Sequence, residues 1–288
     1  MEFRDIKDVL TFAAFRPEPD NSKAPWPKRF PGKRTVLLNV GRASTSWRTI
    51  DKSGRVDDFG SADGEFLDVA SQMADEWRAT ADDGWIGVSM NSRFIVSLEH
   101  NLSRKKGFED TIRSNPKSIL GTKHDRTKRY ALHHNPETSA SLLLACDDSL
   151  VKTIEEAFRN HNLRPARICC GLFAMQVHLL NRIAHDDKLK NQDIITVVWN
   201  DGSLAVLRMK GGQWQELRCR SGLQPTDTHA VSQMLKPFLD AKDANTRIIF
   251  MGDDTENQFS KEYLPQLENH HVTDVTEPNQ LWAILSRN

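Results

Sequence analysis

One order of elements occurs twice in this chain. A hairpin series followed by helices runs over 34–88 and again over 191–275. The first copy opens with "RTVLLNVGRASTSWRTIDKSGRV", residues 34–56. Val36, Leu37 and Leu38 form a short apolar strand, Gly41 to Ser46 a turn of small residues, and Trp47 to Ile50 a second strand; "DKSG" turns again. A third strand is expected at 57–60. In "GEFLDVASQMADEWRATAD", Phe66, Val69, Ala70, Met73, Ala74 and Trp77 share one helical face. "DDGWIGVSM" then reads as a turn and a buried strand.

The second copy is plainer. "DIITVVWNDGSLAVLRMKGGQWQELRCRSGL" holds three strands joined by "NDG" and "KGG", both strong hairpin signals. A helix follows at "DTHAVSQMLKPFLDAKDA" and a buried strand at "TRIIFMGDD". Then come a helix, a last short strand and a closing helix at "PNQLWAILSRN". Two α/β halves are expected, 34–190 and 191–288.

The first half is longer because something is inserted in it, over about 92–150. "SRFIVSLEHNL" and "RYALHHNPETSASLLLACDD" read as strands, with a polar, basic-headed helix between them at 104–120. "SLVKTIEEAFRN" is a helix that Ser149 is placed to cap. "ARICCG" is a strand and "LFAMQVHLLNRIAHDDKL" an apolar-faced helix. Ahead of both halves lies an arm, 1–33. Residues 2–14 have helical spacing, and "RPEPDNSKAPWPKRFPGKR" carries five prolines. That stretch reads as a linker or an extended arm that docks on this protein or a neighbour, which makes a homodimer possible.

Charge excludes one class of function. Lys and Arg number 39, and so do Asp and Glu. A general nucleic-acid binder relies on many unbalanced cations facing phosphates. Cys146, Cys169, Cys170 and Cys219 lie in apolar or strand-like stretches and read as reduced thiols. Adjacent Cys169 and Cys170, like the pairs His133-His134 and His270-His271, point to opposite faces of a strand and make poor joint metal ligands. No apolar run reaches the roughly 20 residues that span a bilayer. Acids within the first ten residues argue against a secretory signal, so a cytoplasmic protein is expected.

The order of elements resembles the actin-like ATPase fold of actin and the sugar kinases, an α/β fold duplicated from an RNase H-like unit. The branch it looks most like is that of the PilM-type proteins of type IV pili and the L-type cytoplasmic domains of type II secretion. In that fold the opening hairpin carries a phosphate loop, Asp-x-Gly-x-x-x; here the letters are Asn39-Val40-Gly41-Arg42-Ala43-Ser44-Thr45. A second Asp-x-Gly opens the other half, where this chain has Asp201-Gly202 after Trp199-Asn200. The adenosine motif is a strand ending in Gly-Gly, and here Gly252 is followed by Asp253. Asn162-Leu163-Arg164-Pro165 stands where Gly-Leu-x-Pro is usual.

The resemblance implies a vestigial nucleotide site at Asn39, Gly41, Ser44, Thr45, Asp201, Gly202 and Gly252. Asn39 supplies no anion for Mg²⁺, which is usually bound by one or two carboxylates plus phosphates. Trp199 is bulky where phosphate needs backbone, and Asp253 sets a carboxylate beside the adenosine position. The expectation is a scaffold with no catalytic residues, no metal and no required cofactor. It would sit at the inner face of the inner membrane through partners: a bitopic assembly protein or an assembly ATPase. The inserted region would bind them, helped by Arg104, Lys105, Lys106 and the basic "KHDRTKRY" at 123–130.

The alternative is an ATP/Mg-binding ATPase or kinase of the same fold, with Asp201 as metal carboxylate and Ser44, Thr45 and Gly202 around the phosphates. A nuclease of the RNase H kind would need clustered carboxylates; Asp51, Asp57 and Asp58 read instead as turn residues. No Gly-x-Ser-x-Gly elbow occurs.

Overall fold

The computed structural model describes residues 33–41, 43–51, 53, 55–100, 111–112, 114–134, 141–239, 246–254, 258–267 and 271–287. The helix expected at 2–14, the proline-rich stretch up to residue 32 and the basic trio Arg104 to Lys106 lie outside them.

In the first half, β1 (Thr35–Val40), β2 (Ser44–Ile50) and β3 (Val56–Asp63) form an antiparallel meander. Helix α1 (Phe66–Thr80) leads to β4 (Trp85–Met90), which lies parallel to β1. The chain then leaves this sheet for a three-stranded one. That sheet holds β5 (Ile95–His100), β6 (Lys128–His134) and β7 (Ser141–Asp147), with β7 in the middle and a helical turn, α2 (Lys117–Leu120), before β6. Helix α3 (Asp148–Asn160) returns to β8 (Arg164–Cys170), parallel to β4. The strand order is β3-β2-β1-β4-β8.

After α4 (Gly171–Ala184) the second half repeats the plan. Strands β9 (Ile194–Asn200), β10 (Ser203–Lys210) and β11 (Gln213–Ser221) form the meander. Helix α5 (Thr228–Leu239), β12 (Arg247–Met251), α6 (Gln258–Tyr263), β13 (His271–Asp274) and α7 (Gln280–Arg287) follow. The order β11-β10-β9-β12-β13 matches the first sheet strand for strand, with β9, β12 and β13 parallel.

The pleat explains why these strands read as unbroken apolar runs. Successive side chains go to opposite faces, and both faces of β1 and β9 are covered. On β1, Leu37 faces the core shared with the second half, while Val36, Leu38 and Val40 face a core with α1 and α3. On β9, Ile194 and Val198 enter the shared core, and Ile195, Val197 and Trp199 enter the core under α5 and α6. The shared core is filled by the two helices that close the halves. Helix α4 follows the first sheet yet packs on β9 and β10, and α7 follows the second sheet yet packs on β1. They also pack on each other.

Two local expectations need correction. Ser149 does not cap α3: the cap position is Asp147, without a side-chain cap bond, and Ser149 is inside the helix with its carbonyl accepting from Thr153 Oγ1. The basic run 123–130 is not an open patch throughout. Lys128 Nζ meets Asp147 at 2.6 Å, and Arg129 donates to Asp148 at 2.9 Å and Glu155 at 2.7 Å. Acids that sequence places 19 to 26 residues away arrive on the next strand and helix. Lys152 and then Arg129 hold the Asp148 carboxyl below its usual range. This pairing therefore stabilises above the ordinary carboxylate pKa of about 3.9 and fades as pH falls through the lowered one.

Phe173 is buried in the shared core. Phe173→Ala is expected to cost about 3–5 kcal/mol and to lower the stability of both halves together, read by urea unfolding with one probe in each. Burial pushes the Cys170 thiol up to about 12. Thiolate is the reactive form, so Cys170 should be modified by a thiol reagent only at the rate at which the protein opens, followed by peptide mass mapping.

Candidate functional site

The two meanders point their first turns at the same place. The β9–β10 turn has Asp201 at φ 43° and Gly202 at φ 68°, a two-residue loop of the type I′ that "NDG" signals. Gly202 is required there, since a Cβ would also meet the Leu223 carbonyl at 2.7 Å. The β1–β2 turn closes on Gly41, whose N–H donates to the Ser44 carbonyl at 2.9 Å. The tips meet so closely that a Cβ on Gly41 would lie 2.8 Å from Asp201 Oδ2.

Asn91, at the end of β4 and buried, fastens this meeting. Its Nδ2 donates to the Asp201 carbonyl at 3.0 Å and to Asp201 Oδ2 at 3.1 Å, and its Oδ1 accepts from the Arg93 N–H at 2.9 Å. Its own N–H donates to the Val40 carbonyl. On the other side, Asp253 Oδ2 accepts from the Asp201 N–H at 2.9 Å. Three strand ends of two sheets are thereby tied through one aspartate.

The result is a cleft of about 220 Å³ lined by Asn39, Gly41, Ser44, Ser46, Asp201 and Asp253, with Asp254, Leu281 and Trp282 opposite. The Arg48 guanidinium stands 4.9 Å from the ring of Trp282, one of the lining residues, and 5.0 Å from the Phe59 ring. Burial lowers the Arg48 pKa and the Asp254 charge works against that. Arg48 and Phe59 come from the first half, Asp254 and Trp282 from the second.

Of the residues singled out by sequence, Asn39, Gly41, Ser44 and Asp201 are gathered at this cleft. Thr45 is buried with no partner for its hydroxyl among the described residues, Gly202 holds the turn, and the Gly252 N–H donates to Thr276 Oγ1 at 2.8 Å. Trp199 was expected to crowd the site and does not. It points the other way and stacks on Phe259 at 4.2 Å in the outer core. Asp253 does not simply occupy an adenosine position, since it caps the opposing turn. Asn91, Ser46, Arg48, Asp254, Leu281 and Trp282 were missed. A polar residue directly after the buried strand "WIGVSM" was the one available signal, for Asn91.

Phosphate loops work by offering backbone N–H groups and cations. Here the Gly41 and Asp201 N–H groups already donate within the protein, while Asp201, Asp253 and Asp254 put carboxylates in the lining, the ligand type that Mg²⁺ takes. Pockets for ligands of drug size run to roughly 300 Å³ and more. Among the described residues, no three acid, His or Cys side chains are grouped to hold a metal.

The sequence matches no known family description. Solved structures match the whole architecture. A Bacteroides thetaiotaomicron protein with an actin-like ATPase fold and unknown function aligns over 94% of this chain and all of its own, at 10% identity and TM-score 0.55. The PilM–PilN type IV pilus biogenesis complex aligns over 88% of this chain and 90% of that one, at 11% identity and TM-score 0.57. The cytoplasmic domain of EpsL, an inner-membrane component of the Vibrio cholerae type II secretion system, covers 88% and 93%, at 7% identity and TM-score 0.52. The fold is that of the actin-like ATPases, as the element order led us to expect. No described helix is long and apolar enough to cross a membrane.

Asn91→Ala removes the donor that satisfies Asp201. It is expected to cost about 1–3 kcal/mol in urea unfolding. Gly41→Ala should be destabilising too, because the Asp201 carboxylate must move to admit the methyl group.

Proposed function

We propose that this chain is a non-catalytic scaffold of a type IV pilus or type II secretion-like assembly, acting at the cytoplasmic face of an inner membrane by binding partner proteins. The observation that carries the reading is the state of Asp201. Its N–H is engaged by Asp253 and its carboxylate by Asn91, at the turn that the resemblance sets beside the second phosphate loop, one or two places from the expected carboxylate. Phosphoryl transfer rests on positioning and on neutralising charge. A cleft whose Gly41 and Asp201 N–H groups are already engaged within the protein is a poor start for it. The shared fold of PilM and the EpsL domain supports the choice of system. The partner on this reading is a bitopic inner-membrane protein or an assembly ATPase. The inserted three-stranded sheet is its seat, since β5 and β6 are edge strands to which an extended peptide can add.

The test is thermal unfolding with and without millimolar Mg²⁺-ATP. A site with a Kd a hundredfold below the ligand concentration would add about 2.7 kcal/mol of stability. No shift is expected. A rise in melting temperature that disappears in Asp201→Ala would replace this reading with the alternative, a nucleotide-binding ATPase or kinase of the same fold.

A further inference from the structure

Strand β3 ends the first sheet, and no strand lies beside its outer edge among the described residues. One bond shows which backbone groups that edge offers. The Gly64 N–H donates to the Ala43 carbonyl at 2.9 Å, so Gly64 turns its backbone toward β2. Backbone direction alternates along a strand, so Ala62 opposite Thr45 and Gly60 opposite Trp47 turn the same way. Phe59, Ser61 and Asp63 therefore turn their N–H and C=O groups outward. The pairing with β2 shifts register just before Phe59, which makes Phe59 to Asp63 the regular part of the edge. The Phe59 N–H is held by the Asp58 carboxylate at 2.7 Å, and no described strand satisfies the other two.

Exposed edges are normally blunted or covered, because their free backbone groups invite pairing. This one is apolar instead. Val56 is 42% exposed, Phe59 74% and Leu67, in the first turn of α1, 46%; these are the large apolar side chains left exposed among the described residues. Leaving a phenylalanine in water forgoes about 1.5–3 kcal/mol of burial. The edge is also strongly acidic. From Val56 to Trp77 the sequence holds seven acids and no Lys or Arg, in a chain whose total charge balances. Asp57, Asp58 and Asp63 are exposed on the strand, and Glu65 and Asp68 just past it.

Charge selects the occupant. A second copy offering its own β3 would set acids against acids, and like charges facing each other across strands destabilise the pair. An extended segment in which Lys or Arg alternates with apolar residues answers both features. Its backbone meets the outward groups, its cations meet the carboxylates and its apolar side chains cover Phe59.

We infer that the outer edge of β3, from Phe59 to Asp63, docks an extended cationic segment of a partner protein as an added strand. On docking, Asp58 yields the Phe59 N–H to an incoming carbonyl and turns to an incoming cation. The edge is at the far end of the strand order from β4 and β8, between which the chain leaves for the inserted sheet, so this contact is separate from the seat proposed above and does not depend on it.

The test uses the full chain and a capped peptide of alternating Lys and Val, followed by titration and by amide hydrogen exchange. The peptide is expected to bind saturably and to slow exchange at Phe59, Ser61 and Asp63. Its counterpart with Glu for Lys should bind at least about tenfold more weakly, since like charges across an interface cost several kcal/mol. Binding should fade in about 1 M salt, where the Debye length is about 3 Å. Ser61→Pro removes an outward donor and should abolish binding. Asp63→Lys, an exposed change that leaves the pairing with β2 alone, should narrow the preference between the two peptides. No saturable binding of the Lys peptide, slowed exchange confined to other strands, or a preference that Asp63→Lys leaves unchanged would each overturn the proposal. Exchange at these amides that slows with rising protein concentration, without peptide, would also overturn it and give the edge to a second copy.

Discussion

Everything in this molecule depends on a close approach at Gly171. The first residue of α4 sits where Ser89 of β4, Asn200 of β9 and Leu281 of α7 converge. A Cβ there would lie 2.7 Å from the serine hydroxyl and 3.0 Å from each of the others. Because no side chain intervenes, α4 can leave the first sheet and lie at once against the second. Both halves then share one core, and the turn tips at Gly41 and Asp201 are brought into contact. The cleft follows from helix packing around one glycine, and its small size is a consequence of that tightness.

The same geometry explains the chemistry of the cleft. Two turns built to project backbone donors have been pushed together until they satisfy each other's neighbourhood. Asp201 is held from one side by an asparagine of the first sheet and from the other by an aspartate of the second. Beside it, Arg48 joins Phe59 of its own half to Trp282 and Asp254 of the other by stacking and charge. The bonds to Asp201 fix the first turn of one half against that of the other.

How much of this could be read in the letters varied with range. The β9–β10 turn was legible because Asn-Asp-Gly states its own backbone angles, and the duplicated strand order was legible because each half repeats its turn signals. Helix α1 declared its buried face by spacing alone. Asn91 and Asp201 are 110 residues apart, and nothing local says that one amide will satisfy the other. Trp199 was misjudged for a related reason. The alternation along β9 fixes that Trp199 and Asn200 face opposite ways, but only the packed sheet says which way is the cleft. Ser149 failed as a cap because the helix begins one residue before it, directly from β7.

The exchange of closing helices bears on how the protein comes into being. The inner face of β1 is covered in part by α7, Gln280–Arg287, which lies far along the chain from it. Synthesis delivers β1 well before this cover. Until α7 emerges, the first sheet keeps part of an apolar face open, the kind of surface on which nascent chains stick to one another. Native closure of the first strand thus waits on a helix of the second half.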